Sequence, residues 1–82
     1  MNIIYTNYSE ETLKDRKISK KIVENAILFP DEIIKGEKER KIAHKFIRNK
    51  LLRVVYEINE KIYIVVTAYY TNPKRYKNEN KF

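Results

Sequence analysis

Two stretches of the back half, Leu51–Ile58 and Lys61–Tyr70, are dense in β-branched and aromatic residues and are separated by only Asn59-Glu60. A two-residue link between period-two runs leaves one economical arrangement, an antiparallel hairpin. In the first run Leu52, Val54, Tyr56 and Ile58 share one face, and Leu51, Arg53, Val55 and Glu57 share the other. In the second, Ile62, Ile64, Val66 and Ala68 alternate with Tyr63, Val65, Thr67 and Tyr69. Upstream, Arg40–Arg48 alternates too, with Ile42, His44, Phe46 and Arg48 opposed to Lys41, Ala43, Lys45 and Ile47. Asn49-Lys50 then makes a second two-residue link, so the back half predicts an antiparallel meander.

The front half reads differently. Residues 2–6 are a short apolar opening, suited to an edge strand. Asn7 offers a helix N-cap with Glu10 as its capping-box partner, predicting a helix over Tyr8–Asp15. Tyr8, Thr12 and Arg16 recur at intervals of four and share a face, while Leu13 is the lone aliphatic anchor of this segment. Ser19 is the next N-cap, with Ile18 and Val23 at the spacing of a hydrophobic staple. Ile22, Val23, Ala26 and Ile27 form the apolar stripe of a second helix, which Phe29-Pro30-Asp31 ends because a residue before proline is driven out of helical geometry. Glu32–Lys35 is a short strand, and Gly36, the only glycine, marks the following turn.

The predicted fold class is therefore α+β: two N-terminal helices packed on one face of an antiparallel β-meander. Two helices cover one sheet face, so the other is expected to be partly open. With 82 residues and no cysteine, the chain makes one domain over 1–76 with a polar tail at 77–82, and its core rests on aliphatic and aromatic side chains alone. No basic lead precedes an apolar run and no apolar stretch approaches ~20 residues, so a cytoplasmic protein that spans no membrane is expected. Abundant Lys, Ile, Asn and Glu with no Gln fits a thermophile or an AT-rich genome.

The formal net charge is +7. Positive charge on this scale concentrates polyanions at the surface and speeds their encounter. Lys45 and the basic-aromatic cluster Lys74-Arg75-Tyr76 are candidate nucleic-acid contacts, a clamp for a phosphate and a stacking ring for a base; a solvated tail is the plain alternative for the latter three. Arg53, in mid-strand among apolar residues, either faces phosphate on the open side or pairs with Glu57 on the same face. His44, the only histidine, is either a general base or a packed core residue between Ile42 and Phe46. Thr67 and Tyr69 stand beside Arg53 if that face is uncovered, although both are ordinary strand formers. Arg16 either joins them or pairs with acids of its own helix. The sequence presents no cysteine nucleophile, glycine-rich phosphate loop or metal-ligand cluster, and no cofactor is expected.

Five segments in order carry a family resemblance: Tyr5-Thr6-Asn7-Tyr8, Leu13 to Ser19, Ala26 to Ile34, Leu52-Arg53-Val54-Val55-Tyr56-Glu57 and Val65-Val66-Thr67-Ala68-Tyr69. Together they resemble a small prokaryotic domain-of-unknown-function family related to the BrnT and RelE/ParE toxins. The resemblance implies a RelE/ParE-like, ribonuclease-toxin-like outline and a small antitoxin encoded beside the gene. It also implies site roles for Arg16, Arg53, Thr67 and Tyr69. Such families often begin the first helix with a histidine, where this chain has Tyr8; His44 is then the available imidazole, and related toxins cut RNA with Lys, Arg and Tyr alone.

On this reading the chain is a toxin-like endoribonuclease acting on mRNA without a metal. The 2′-hydroxyl attacks the adjacent phosphorus, Arg53 and Arg16 stabilise the phosphorane, Tyr69 or His44 moves the proton, and Tyr76 or Arg75 holds the substrate. Two other readings stand: a non-catalytic basic module that binds protein or nucleic acid, and a gyrase-directed, ParE-like toxin.

Overall fold

The computed structural model describes residues 2–76; the side chains of Arg75 and Tyr76 and all of segment 77–82 lie outside the description, and with them the expected tail. The order of elements is β1 (Asn2–Tyr5), α1 (Asn7–Arg16), α2 (Lys20–Leu28), β2 (Glu32–Lys35), β3 (Lys41–Ile47), β4 (Lys50–Asn59) and β5 (Ile62–Thr71), followed by a single 3₁₀ turn at Pro73–Tyr76. The strands form one sheet in the order β1-β5-β4-β3-β2. β1 runs parallel to β5, whereas the other neighbours are antiparallel.

This corrects the expected architecture. The sheet is mixed, not an antiparallel meander, and the helices do not precede it. They follow β1 and form the connection that carries the chain from one sheet edge to the other. The apolar opening is the reason. Ile3 and Tyr5 bury against the core, and their strand supplies backbone partners to β5 from Ile62 to Val65. The RelE/ParE-like, ribonuclease-toxin-like outline falls with the meander.

Local sequence explains both helices, with one shift of cap. Thr6, not Asn7, accepts the Ser9 amide on its hydroxyl, at 3.0 Å, and Ser9 Oγ donates back to the Thr6 carbonyl at 2.8 Å. α1 packs Ser9, Thr12 and Leu13 inward, so small polar side chains let it lie close on the sheet where aliphatic ones are missing. It ends at Lys17, in left-handed geometry at φ 57°, with the Ile18 amide donating to the Leu13 carbonyl at 2.9 Å. That is the closure glycine usually provides. Ser19 caps α2 as expected, accepting the Ile22 amide at 3.2 Å, and the staple pair Ile18 and Val23 is buried.

Both hairpin links sit one residue earlier or later than the alternation suggests. Ile47 opposes Lys50, so the β3–β4 turn is Arg48-Asn49; Asn59 opposes Ile62, so the β4–β5 turn is Glu60-Lys61. Arg48 and Glu60 take positive φ at 58° and 59°. Gly36 does not: the positive angles in its loop belong to Lys38 and Glu39. Close approach favours glycine there, since a Cβ would crowd the Arg40 carbonyl oxygen at 3.2 Å.

The largest departure is in β5. Tyr56 opposes Val65 but Val55 opposes Thr67, which leaves Val66 as an extra residue, a β-bulge. The bulge breaks the expected alternation of the whole strand. Tyr63 and Val65 lie with Ala68 and Tyr70 against the helices, while Thr67 and Tyr69 turn to the opposite face. The core joins these to Leu13, Ile18, Val23, Ala26 and Ile27 from the helical segment and Ala43, Leu52, Val54 and Tyr56 from β3 and β4. Tyr56 and Tyr63 stack at 5.6 Å between centroids. Among the described residues no helix is long and apolar enough to cross a membrane.

Candidate functional site

The face turned away from the helices carries a polar row. Glu32 on β2 opposes His44 on β3, His44 opposes Arg53 on β4, and Arg53 opposes Tyr69 on β5. Side chains directly opposite on one face approach to ~5 Å at Cβ. Registers set by two tight hairpins and the bulge therefore line up four functional groups across four strands.

Each station has its own chemistry. His44 is fully buried, and its Nδ1 donates to Glu32 Oε2 at 2.7 Å. A carboxylate acceptor holds the proton on Nδ1 and fixes the orientation of the ring. Arg53 is only 6% exposed, and its guanidinium carbon lies 5.8 Å from the centre of the Tyr69 ring. Arg16 reaches the same ring from the end of α1, also at 5.8 Å. Its Nη1 donates to the Ala68 carbonyl at 2.8 Å and stands 3.5 Å from Thr67 Oγ1, long for a hydrogen bond. Arg16 itself is exposed. It can bind there because β1 pairs with β5 only as far as Val65, and the next stretch of the β5 edge is left to a side chain.

The predicted site residues thus divide. Arg16, His44, Arg53, Thr67 and Tyr69 come together on or around one face. The face is open only in part: Leu51, His44 and Arg53 on it are buried, while Phe46 is exposed and Thr67 and Tyr69 are half-buried. Arg53 is consequently no surface arginine, and its removal is expected to touch stability as well as any activity. Glu57, its proposed partner, is held instead by Arg40 Nε at 2.9 Å. Lys45 belongs to the helix-covered face, with Nζ donating to the Phe29 carbonyl at 2.6 Å, where it fastens β3 to the end of α2. Lys74 is exposed in the 3₁₀ turn, whose start is set by its amide donating to Asn72 Oδ1 at 2.9 Å. The Arg75 and Tyr76 side chains lie outside the described residues. Tyr8, at the position of the histidine implied by the resemblance, is 62% exposed on α1.

Glu32 is the member that sequence reasoning missed. Its signal was arithmetic. Centring the β2–β3 loop on Lys38 puts residue 32 opposite residue 44, and the carboxylate then faces the only histidine. Among the described residues no three His, Asp or Glu side chains gather as a metal-ligand set.

No curated protein and no solved structure matches the chain. One family model does, over residues 5–70, which run from the last residue of β1 into β5 and include every member of the polar row. The chain belongs to that family, the domain of unknown function DUF4258.

Proposed function

We propose that the chain is a metal-independent RNA endonuclease and the toxin of a toxin–antitoxin pair, with its catalytic surface at the β5 end of the polar row. The observation that carries this reading is the convergence of two guanidinium groups, from Arg16 and Arg53, on the Tyr69 ring. Two like charges drawn to one phenol make a place where an added phosphate gains from both. The reading also rests on the likeness of the five ordered segments to BrnT and RelE/ParE toxins, from which the small antitoxin partner is carried over.

In the proposed reaction the RNA 2′-oxygen forms a bond to phosphorus as its proton leaves. The bond from phosphorus to the 5′-oxygen breaks, and that oxygen takes up a proton, leaving a 2′,3′-cyclic phosphate and a 5′-hydroxyl. Arg16, exposed, contacts the phosphate. Arg53 supplies positive charge from below as the phosphorane forms. Tyr69 transfers the proton, a role its partial exposure permits and complete burial denies to His44. His44 and Glu32 act through Arg53 as positioning residues.

The test is purified protein with end-labelled RNA in excess chelator, followed by end-group analysis. Cyclic-phosphate ends are expected, with Tyr69→Phe slowed on the order of a hundredfold and its melting temperature little changed. Cleavage that appears only with added divalent ion defeats the proposal. A second reading, a module that binds RNA without cutting it, is favoured by the burial of the only histidine, and it predicts retained RNA with no new ends.

A further inference from the structure

Around the end of the sheet from the polar row, on the helix-covered side, lies a cleft that the proposed reaction does not use. Ile22 from the first turn of α2, Ile47 and the turn residues Arg48-Asn49, Lys50 at the start of β4, and Tyr70 near the end of β5 line an open groove of about 540 Å³. A second cavity of about 340 Å³ continues it past Lys50 and Tyr70 to Thr71 and Asn72. The first falls within the ~300–1,000 Å³ typical of small-ligand sites.

The chemistry of the walls is mixed. Ile22, Ile47 and Tyr70 supply apolar and aromatic lining, and Arg48 and Lys50 add two cations to the same groove. Lys50 Nζ already lies 5.9 Å from the Tyr70 ring centre, so one charge stands beside the aromatic surface. Asn49 and Asn72 add amide donors and acceptors at the rim. A flat apolar body that carries an anion matches this mixture, and a nucleotide is such a body. We infer that the cleft binds one nucleotide of a single strand, its base against Ile22, Ile47 and Tyr70 and its phosphate at Arg48 and Lys50.

Placement supports it. Tyr69 and Tyr70 are consecutive, so they stand ~3.8 Å apart at Cα and point to opposite faces. The edge of β5 beside them lies beyond the reach of β1. A strand passing that edge meets Arg16 and Tyr69 on one side and Lys50 and Tyr70 on the other. The inference thus rests on the reading that the domain handles RNA, but not on its cutting it.

The experiment is an amide-shift titration of the full chain at low salt with adenosine monophosphate, adenosine, inorganic phosphate and a hexaglutamate peptide. The monophosphate is expected to shift Ile22, Ile47, Asn49 and Tyr70 and to bind about tenfold more tightly than either half alone. Lys50→Glu is expected to remove that advantage while leaving adenosine binding within about twofold. Shifts confined to other residues, equal affinity for adenosine and its monophosphate, or equal shifts from hexaglutamate would each overturn the cleft. Adenosine monophosphate has no internucleotide bond to cut. Failure here with RNA still cleaved removes the cleft alone; binding here with no cleavage removes the endonuclease alone.

Discussion

The two faces of the sheet are built on opposite rules. On the helix-covered face Ala43, Val54 and Ala68 oppose one another in a row of small apolar groups, and α1 and α2 close over them. One residue along each strand, on the other face, His44, Arg53 and Tyr69 form the matching row. The first row is held by area removed from water and is indifferent to direction. The second is held by directed contacts whose worth depends on every member being in place. The same hairpins set both, so the polar row borrows its precision from the apolar one.

Removing apolar volume is expected to be the most damaging change. Leu52→Ala, at a fully buried position beside Arg53, should cost about 3 kcal/mol in urea unfolding. A loss below about 1 kcal/mol would mean the helix-covered face is not the main source of stability.

The polar row should show coupling rather than bulk. In a double-mutant cycle of Glu32→Gln and His44→Gln, an interaction of about 1.5–2 kcal/mol is expected, read from urea midpoints. Simple additivity would make the 2.7 Å contact incidental and the comparison between faces weaker.

That directional contacts are hidden in the apolar side as well is testable by alkali. Tyr5 donates to Glu24 Oε2 at 2.7 Å, and burial first, then this hydrogen bond and the nearby carboxylate charges, push its phenol above the ordinary tyrosine value; burial raises Tyr56 likewise. The unfolded phenol gives up its proton near pH ~10 and the folded one later, so between them the unfolded state binds fewer protons and stability falls as pH rises. Melting temperature is expected to hold up to pH ~10 and then drop, with a shallower drop in Tyr5→Phe. An equal drop in the variant assigns the loss elsewhere.

The smallest effect belongs to neither face. Lys17 closes α1 in left-handed geometry, so Lys17→Gly should relieve strain and add a few tenths of a kcal/mol, about 0.5 at most. A loss of stability would show that the lysine side chain holds the turn.

How far the sequence speaks follows from the same contrast. Period-two alternation located β3 and β4 and sorted the two faces of each strand, because burial writes a simple pattern along a regular strand. The staple of α2 was legible for the same reason. The parallel pairing of β1 was not, since four residues carry no sign of strand direction. The phase of β5 was hidden too: a bulge between two adjacent valines leaves both apolar, and nothing in Val65-Val66 says which is the extra one. Arg53 read as a surface cation because alternation tells which face a residue joins, not what finally lies over it. Glu32 was overlooked because a short edge strand gains meaning only from its partner.

The bulge at Val66 works as a selector. Iron it flat, keeping every residue, and the ladder that pairs Tyr56 with Val65 would run on to set Val55 against Val66 and Arg53 against Ala68. The guanidinium would then meet a methyl group, and the phenol of Tyr69 would be handed to the interior. One surplus residue decides which of two neighbouring side chains the arginine sees, so the chemistry of this face is stored as a count along the strand.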